Sequence, residues 1–267
     1  VAPIIRERGK APRCTKPATV AAITVEHLTK QYPTGTLALS DINFEIADGE
    51  FIAVVGPSGC GKSTMLRIMA GLDTATDGRV EIDETGIDLR GTLPSAVVFQ
   101  EQSLFPWMRV DENVAFAFDS LALPAADVRE RVARELELVG LTKFARAYPH
   151  ELSGGMKQRV AVARAFAVDP PVLFMDEPFG ALDEQTRVGL AGELMRLWER
   201  TRKTVVFITH GIEEAITLAD RVVVLSTPPG TVKAIVPIDL PRPRDAVTIR
   251  GDARFGAYVV QIWDLLR

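Results

Sequence analysis

The stretch "DINFEIADGE" alternates cleanly: Ile42, Phe44 and Ile46 are apolar, and Asp41, Asn43 and Glu45 are polar. A period of two predicts a strand with one face in a core and the other in water. "ITVEHLTKQY" alternates more loosely and reads as another strand. "FIAVVG", "PPVLFMDEP", "TVVFITH" and "RVVVLS" contain short, continuous apolar runs, the pattern of parallel strands covered on both faces. Helical patterns separate them. "KSTMLRIMAGL" follows "FIAVVG" through a glycine loop and closes at Gly71, and a longer helix is predicted near Glu184 to Arg202. Strands alternating with helices predict an α/β fold with a mainly parallel sheet.

The segment from Glu101 to about Ala167 departs from that rhythm. "DVRERVARELELVG" places Val128, Val132, Leu136 and Val139 on one helical face, and Gly140 suits a C-terminal cap. The neighbouring segments are also mostly helical in pattern, so a helical insertion between two parts of the α/β core is predicted. There is no internal repeat and no low-complexity segment.

Chemistry concentrates where the apolar runs end. "GPSGCGKST", Gly56 to Thr64, matches the phosphate-loop pattern G-x-x-x-x-G-K-[ST] in full. Its positions are Gly56, Pro57, Ser58, Gly59, Cys60, Gly61, Lys62, Ser63 and Thr64. The glycines let backbone N–H groups converge on phosphates, and the helix opening at Lys62 adds its positive end. Lys62 is expected on the β- and γ-phosphates, Ser63 on Mg²⁺, and Thr64 on nearby phosphate oxygens. Asp176 and Glu177 close the run "VLFMDE", at the strand end where ligands of open α/β sheets gather. Asp176 suits a metal held through water, and Glu177 suits polarising an attacking water. His210 closes "TVVFITH" and is expected on the same rim. "ELSGGMKQR" raises a separate question, because Ser153, Gly154 and Gly155 open a helix as a second anion-binding start.

Composition narrows the class. A chain of 267 residues allows one large domain, or one domain with a sizeable insertion. The hydrophobic share of 47% and charged share of 25% are ordinary for a globular protein. A net charge of −4 argues against a general nucleic-acid binder. Of the two cysteines, Cys60 lies in the phosphate loop, so no disulfide with Cys14 is expected, which fits a reducing compartment. Its place at a helix start predicts a thiol shifted toward thiolate. No apolar run approaches the ~20 residues of a membrane span. Residues 1–21 carry Arg6, Arg8, Lys10, Arg13 and Lys16 among three prolines. They read as a flexible basic tail rather than a signal peptide.

Taken in order, these motifs resemble the ATP-binding subunit of an ABC transporter. Gly56 to Thr64 resembles Walker A, "FQEQ" the Q-loop with Gln100, and "LSGGM" the signature. "VLFMDE" resembles Walker B, "ALD" the D-loop ending in Asp183, and His210 the switch histidine. The resemblance spans about Ile23 to Pro229. It implies a RecA-like P-loop NTPase core, an antiparallel β subdomain and an inserted α-helical subdomain. The implied division is a single domain over 22–267, with core segments 22–100 and 168–235, a helical subdomain 101–167 and a C-terminal extension 236–267.

The resemblance also implies roles. ATP and Mg²⁺ are the implied ligands. Glu177, His210 and Lys62 would be catalytic, and Ser63, Gln100 and Asp176 would serve the metal. Tyr32 would stack on adenine. Ser153, Gly154, Gly155 and Met156 would cover the ATP of a second copy in a head-to-tail homodimer, with Asp183 contacting the opposite subunit. Two transmembrane permease subunits, and indirectly a solute-binding protein, are the implied partners, at the cytoplasmic face of the membrane and without nucleic acid. "SLFPWMRVDENVAF", "MDEPFGALDEQTR" and "THGIEEAITLADRVVVLS" further resemble importers of the nitrate, sulfonate, taurine and bicarbonate group. An exporter ATPase, a P-loop kinase and a soluble ABC protein acting on nucleic acid are the alternatives. Phe105, Pro106, Trp107 and Met108 either pack inside the helical insertion or line a groove for a membrane subunit.

Overall fold

The computed structural model describes residues 21–82, 95–101, 103–121 and 123–267. The basic tail, apart from its last residue, and Cys14 lie outside the described residues.

Two sheets form. Strands β1 (Ala21–Gln31), β2 (Leu37–Ala47) and β4 (Asp77–Ile82) make an antiparallel sheet in the order β2-β1-β4, and β3 (Phe51–Val55) leaves it for the other sheet. In β2, Ile42, Phe44 and Ile46 are buried while Asp41, Asn43 and Glu45 are exposed, as the alternation predicts. The second sheet adds β5 (Ser95–Val98), β6 (Val172–Asp176), β7 (Thr204–Ile208), β8 (Arg221–Leu225) and β9 (Val232–Pro237). Its order is β5-β6-β7-β3-β8-β9, parallel except for the antiparallel edge strand β9.

The continuous apolar runs are explained by burial on both faces. Phe51, Ala53, Val55, Leu173, Met175 and Phe207 point into one core with Leu194 and Trp198 of helix α5 (Glu184–Thr201). Ile52, Val54, Phe174, Val206 and Ile208 point the other way, against Met65 and Leu66 of helix α1 (Lys62–Met69) and against the antiparallel sheet. Each large apolar side chain buried this way contributes roughly 1.5–3 kcal/mol. Phe207→Ala in the central layer should cost about 3–5 kcal/mol.

The helical insertion has its own core. Helices α2 (Val110–Ala115), α3 (Ala125–Leu138) and α4 (Gly154–Ala167) bury Val110, Val114, Val132, Leu136, Val139 and Val160 together. Val128 is only half-buried. Gly140 follows α3 with φ 69°, the left-handed geometry of a C-terminal cap.

Helices α6 (Ile212–Leu218) and α7 (Ala253–Leu266) complete the fold. The chain between β9 and α7 is pinned by a buried arginine. Arg244 donates to the carbonyls of Ile216 (2.9 Å), Ala219 (2.7 Å) and Ile238 (3.0 Å). It thereby satisfies acceptors that the end of α6 leaves open. Burial pushes its pKa down to about 10.

Candidate nucleotide site

Strands β3, β6 and β7 are parallel neighbours, so their C-terminal ends share one edge of the sheet. The phosphate loop leaves β3, Asp176 and Glu177 leave β6, and His210 follows β7. A cleft of about 420 Å³ opens there, with Tyr32, Lys62, Ser63, Thr64, Glu177 and His210 in its wall. Residues far apart in sequence are therefore gathered by strand order alone.

The loop is built around Lys62, which is 5% exposed. Its ammonium donates to the carbonyls of Gly56 (2.9 Å) and Pro57 (3.1 Å). Gly61 caps α1 at φ 94°, and a Cβ there would meet Leu39 Cδ2 at 2.6 Å, so both conformation and space require glycine. Met65 N donates to Gly61 O at 2.8 Å, which starts the helix behind the loop.

Ser63 Oγ donates to Asp176 Oδ1 at 3.0 Å. Burial raises the Asp176 carboxyl above its ordinary value, and the Ser63 hydrogen bond opposes that rise while the neighbouring Glu177 adds to it. Glu177 Oε1 lies 2.6 Å from His210 Nε2. Its backbone sits at φ 46°, a strained position for a side-chain-bearing residue. Glu177 N donates to Ile208 O (3.0 Å) and Gly180 N to Glu177 O (3.0 Å), which hold that turn in place.

Gln100 lies near Glu177, both against Gly180. It lines a smaller adjoining cavity with Glu177, Gly180, Thr209, His210 and Glu214. Ser153 caps α4, accepting from Met156 N at 3.3 Å, and Asp183 caps α5, accepting from Thr186 N at 3.0 Å. That backbone hydrogen bond lowers the Asp183 carboxyl. Neither cap lines the cleft around Lys62. Tyr32 does, but its hydroxyl is tied to Thr64 Oγ1 (3.1 Å) and the Lys30 ammonium sits 5.1 Å from its ring centroid. One ring face thus already has a cation–π partner.

One expectation is corrected. Cys60 is fully buried, and burial pushes its thiol up, against the weaker pull of Lys62. The helix start does not shift it toward thiolate, because desolvation outweighs the lowering influence of Lys62 and the loop N–H groups. It is a free cysteine packed in the core.

Several contributors escape the sequence patterns. Thr209 Oγ1 donates to Glu214 Oε2 and accepts from Gly211 N (2.9 Å), bracing the turn that carries His210. Gly230 N donates to Ala38 O, and Ser40 N to Gly230 O, both at 2.9 Å, bringing Pro228 into the cleft wall. Asn113, fully buried, donates to the carbonyls of Phe105 (3.1 Å), Met108 (3.0 Å) and Arg109 (3.0 Å). It thereby shapes a surface turn on which Trp107 is 70% exposed. Phe105 packs against Trp107 (5.6 Å) and Phe116 (4.5 Å).

The ABC transporter family profile matches residues 39–180. An uncharacterized ABC transporter ATP-binding protein of Methanocaldococcus jannaschii is 48% identical over 85% of this chain and 86% of its own length. The chain belongs to the ABC transporter family.

An aliphatic sulfonates import ATP-binding protein of Bacillus cereus is 45% identical, over 83% of this chain and 88% of its own. Among solved structures, a dimeric bacterial ABC transporter cassette superposes with a TM-score of 0.71 at 36% identity, covering 82% of this chain and all of that one. A dimeric cassette in a post-hydrolysis state, bound to ADP and Pi, gives a TM-score of 0.70 at 34% identity. This protein is accordingly an ATP-binding, ATP-hydrolysing subunit of a transporter. Among the described residues, no helix is long and apolar enough to cross a membrane.

Proposed function

We propose that this subunit powers a membrane importer of a small anionic or sulfur- or nitrogen-containing solute, such as nitrate, a sulfonate or taurine. The site supplies the motor chemistry. Lys62 and the phosphate-loop N–H groups hold the substrate phosphates, which puts positive charge where negative charge develops. Glu177 takes a proton from the attacking water, and His210, 2.6 Å away, holds that carboxylate in place. This contact carries the mechanistic reading, since it brings a base and its orienting partner to the wall of the cleft that contains Lys62.

Mg²⁺ fits the donor set beside them. Ser63 Oγ and Asp176 Oδ1 are hard oxygen donors 3.0 Å apart, suited to an ion bound through few protein ligands and several waters. Bound there, Mg²⁺ would offset phosphate charge. Gln100, which lines a cavity with Glu177, would serve the Mg²⁺ or the attacking water.

The signature residues Ser153 to Met156 lie outside the cleft of their own chain, which fits a head-to-tail homodimer in which they cover the partner's ATP. Two solved cassettes similar to this chain are dimeric. Two permease subunits would dock on the homodimer at the cytoplasmic face, with a solute-binding protein delivering cargo from outside. The surface formed by the exposed Trp107 and Phe116 with the half-buried Phe105 between them is the proposed docking groove. The importer reading draws on the sulfonate-import relative. Uptake by a deletion strain, measured for nitrate, taurine and alkanesulfonates, tests it. Loss of uptake of one of them supports the reading. Accumulation of a solute that wild-type cells expel supports the exporter alternative instead.

A further inference from the structure

The signature helix and the D-loop helix touch at their first turns. A Cβ built on Gly155 would lie 2.7 Å from Thr186 Cγ2 and 3.9 Å from Leu190 Cδ1, and one on Gly154 would lie 3.5 Å from Leu182 Cδ2. Further along, Arg159 of α4 pairs with Glu193 of α5 at 2.9 Å. The two helices therefore run side by side in the same direction, with the caps Ser153 and Asp183 at adjacent ends. Thr186 links one cap to the other helix's first turn: its backbone N–H donates to Asp183 Oδ1 (3.0 Å), and its methyl group fills the space that Gly155 leaves open.

We propose that Thr186 is a positioning residue for ATP-dependent dimerisation, and that Gly155 is glycine because this methyl occupies its side-chain space. The contact fixes the spacing of the signature turn from the D-loop, so the two elements meet a partner copy as one body. An added methyl at 2.7 Å must displace the Thr186 side chain or the helix that carries it. The shift is delivered to Ser153 and Asp183 at once. This inference rests on the head-to-tail reading above.

Complementary substitution tests it. Gly155→Ala, Thr186→Ser and the double variant are compared for MgATPase, ATP-dependent dimerisation, monomer ATP affinity and nucleotide-free thermal unfolding. Gly155→Ala should lower MgATPase at least tenfold and abolish dimerisation while leaving monomer ATP affinity within twofold. Thr186→Ser removes the opposing methyl, so the double variant should return to within threefold of Thr186→Ser alone. Thr186→Ile crowds the contact from the other helix with Gly155 intact. It should reproduce the loss of dimerisation if Gly155→Ala does not fold. A double variant no better than Gly155→Ala in both dimerisation and unfolding overturns the proposal, placing the need for Gly155 at the nucleotide. A wild-type protein that does not dimerise on ATP would sink the head-to-tail reading instead, while recovery of unfolding temperature in the double variant still reports the packing.

Discussion

Ser63 Oγ and Asp176 Oδ1 are joined by a 3.0 Å hydrogen bond across 113 positions of sequence. The bond ties the start of α1 to the end of β6, and so fixes the two halves of the proposed metal site relative to each other. Ser63→Ala removes the donor and leaves a half-buried carboxyl one partner short. Stability should fall by about 1–2 kcal/mol, and MgATPase by about tenfold or more, roughly 1.4 kcal/mol of barrier per tenfold. Urea unfolding and a Mg²⁺ titration of turnover measure the two effects. A variant with the wild-type Mg²⁺ dependence removes Ser63 from the metal site.

Glu177 and His210 should separate binding from chemistry. Glu177→Gln keeps the shape of the side chain but not its basicity. Turnover should drop by about 10²–10⁴-fold, the range of general-base catalysis, with ATP affinity retained. His210→Ala frees the Glu177 carboxylate from its 2.6 Å partner and should also lower turnover. Nucleotide binding by equilibrium dialysis, beside steady-state phosphate release, reads both. Unaltered turnover in Glu177→Gln would assign the base elsewhere.

Cys60 should be inert. In a Cys14→Ser background, which leaves Cys60 as the remaining cysteine, native protein should resist iodoacetamide at neutral pH, and denaturant should unmask the thiol. The reasons are its full burial and the upward push of burial on the thiol. Rapid labelling of the folded protein, with loss of ATPase, would restore the reactive reading.

Much of this site was legible because each motif is a contiguous loop after an apolar strand. The parallel sheet then needs only its strand order to bring Lys62, Asp176 and His210 together. The thiol of Cys60 was misjudged because a helix start is visible in sequence whereas desolvation is not. Gln100 stands next to Glu177 through the packing of Gly180, which no spacing reveals. Nothing in "PRPRDAV" marks Arg244 for burial; it is buried because the backbone around the end of α6 offers it carbonyls. The tether of Tyr32 to Thr64 likewise depends on how the two sheets pack.

Glu214 gives a pH-dependent prediction. Its carboxyl is pushed up by burial, which outweighs the Thr209 hydrogen bond and the attraction of Arg187. Among its oxygens, Oε1 is buried without a hydrogen-bond partner. A carboxyl whose folded pKa is raised favours folding in its protonated form. That contribution is fully present below the ordinary glutamate pKa and is lost as pH rises through the raised one. Glu214→Gln stays neutral at every pH and keeps an oxygen to accept from Thr209. Its unfolding temperature relative to wild type should therefore climb as pH increases from about 4.5 toward neutrality. The same substitution leaves the Thr209 to Gly211 hydrogen bond in place, so the turn carrying His210 should persist. Calorimetric melts of both proteins across that range measure the difference. A constant difference would mean that Glu214 titrates alike in the folded and unfolded chains, and that its carboxylate is solvated or paired by Arg187 after all.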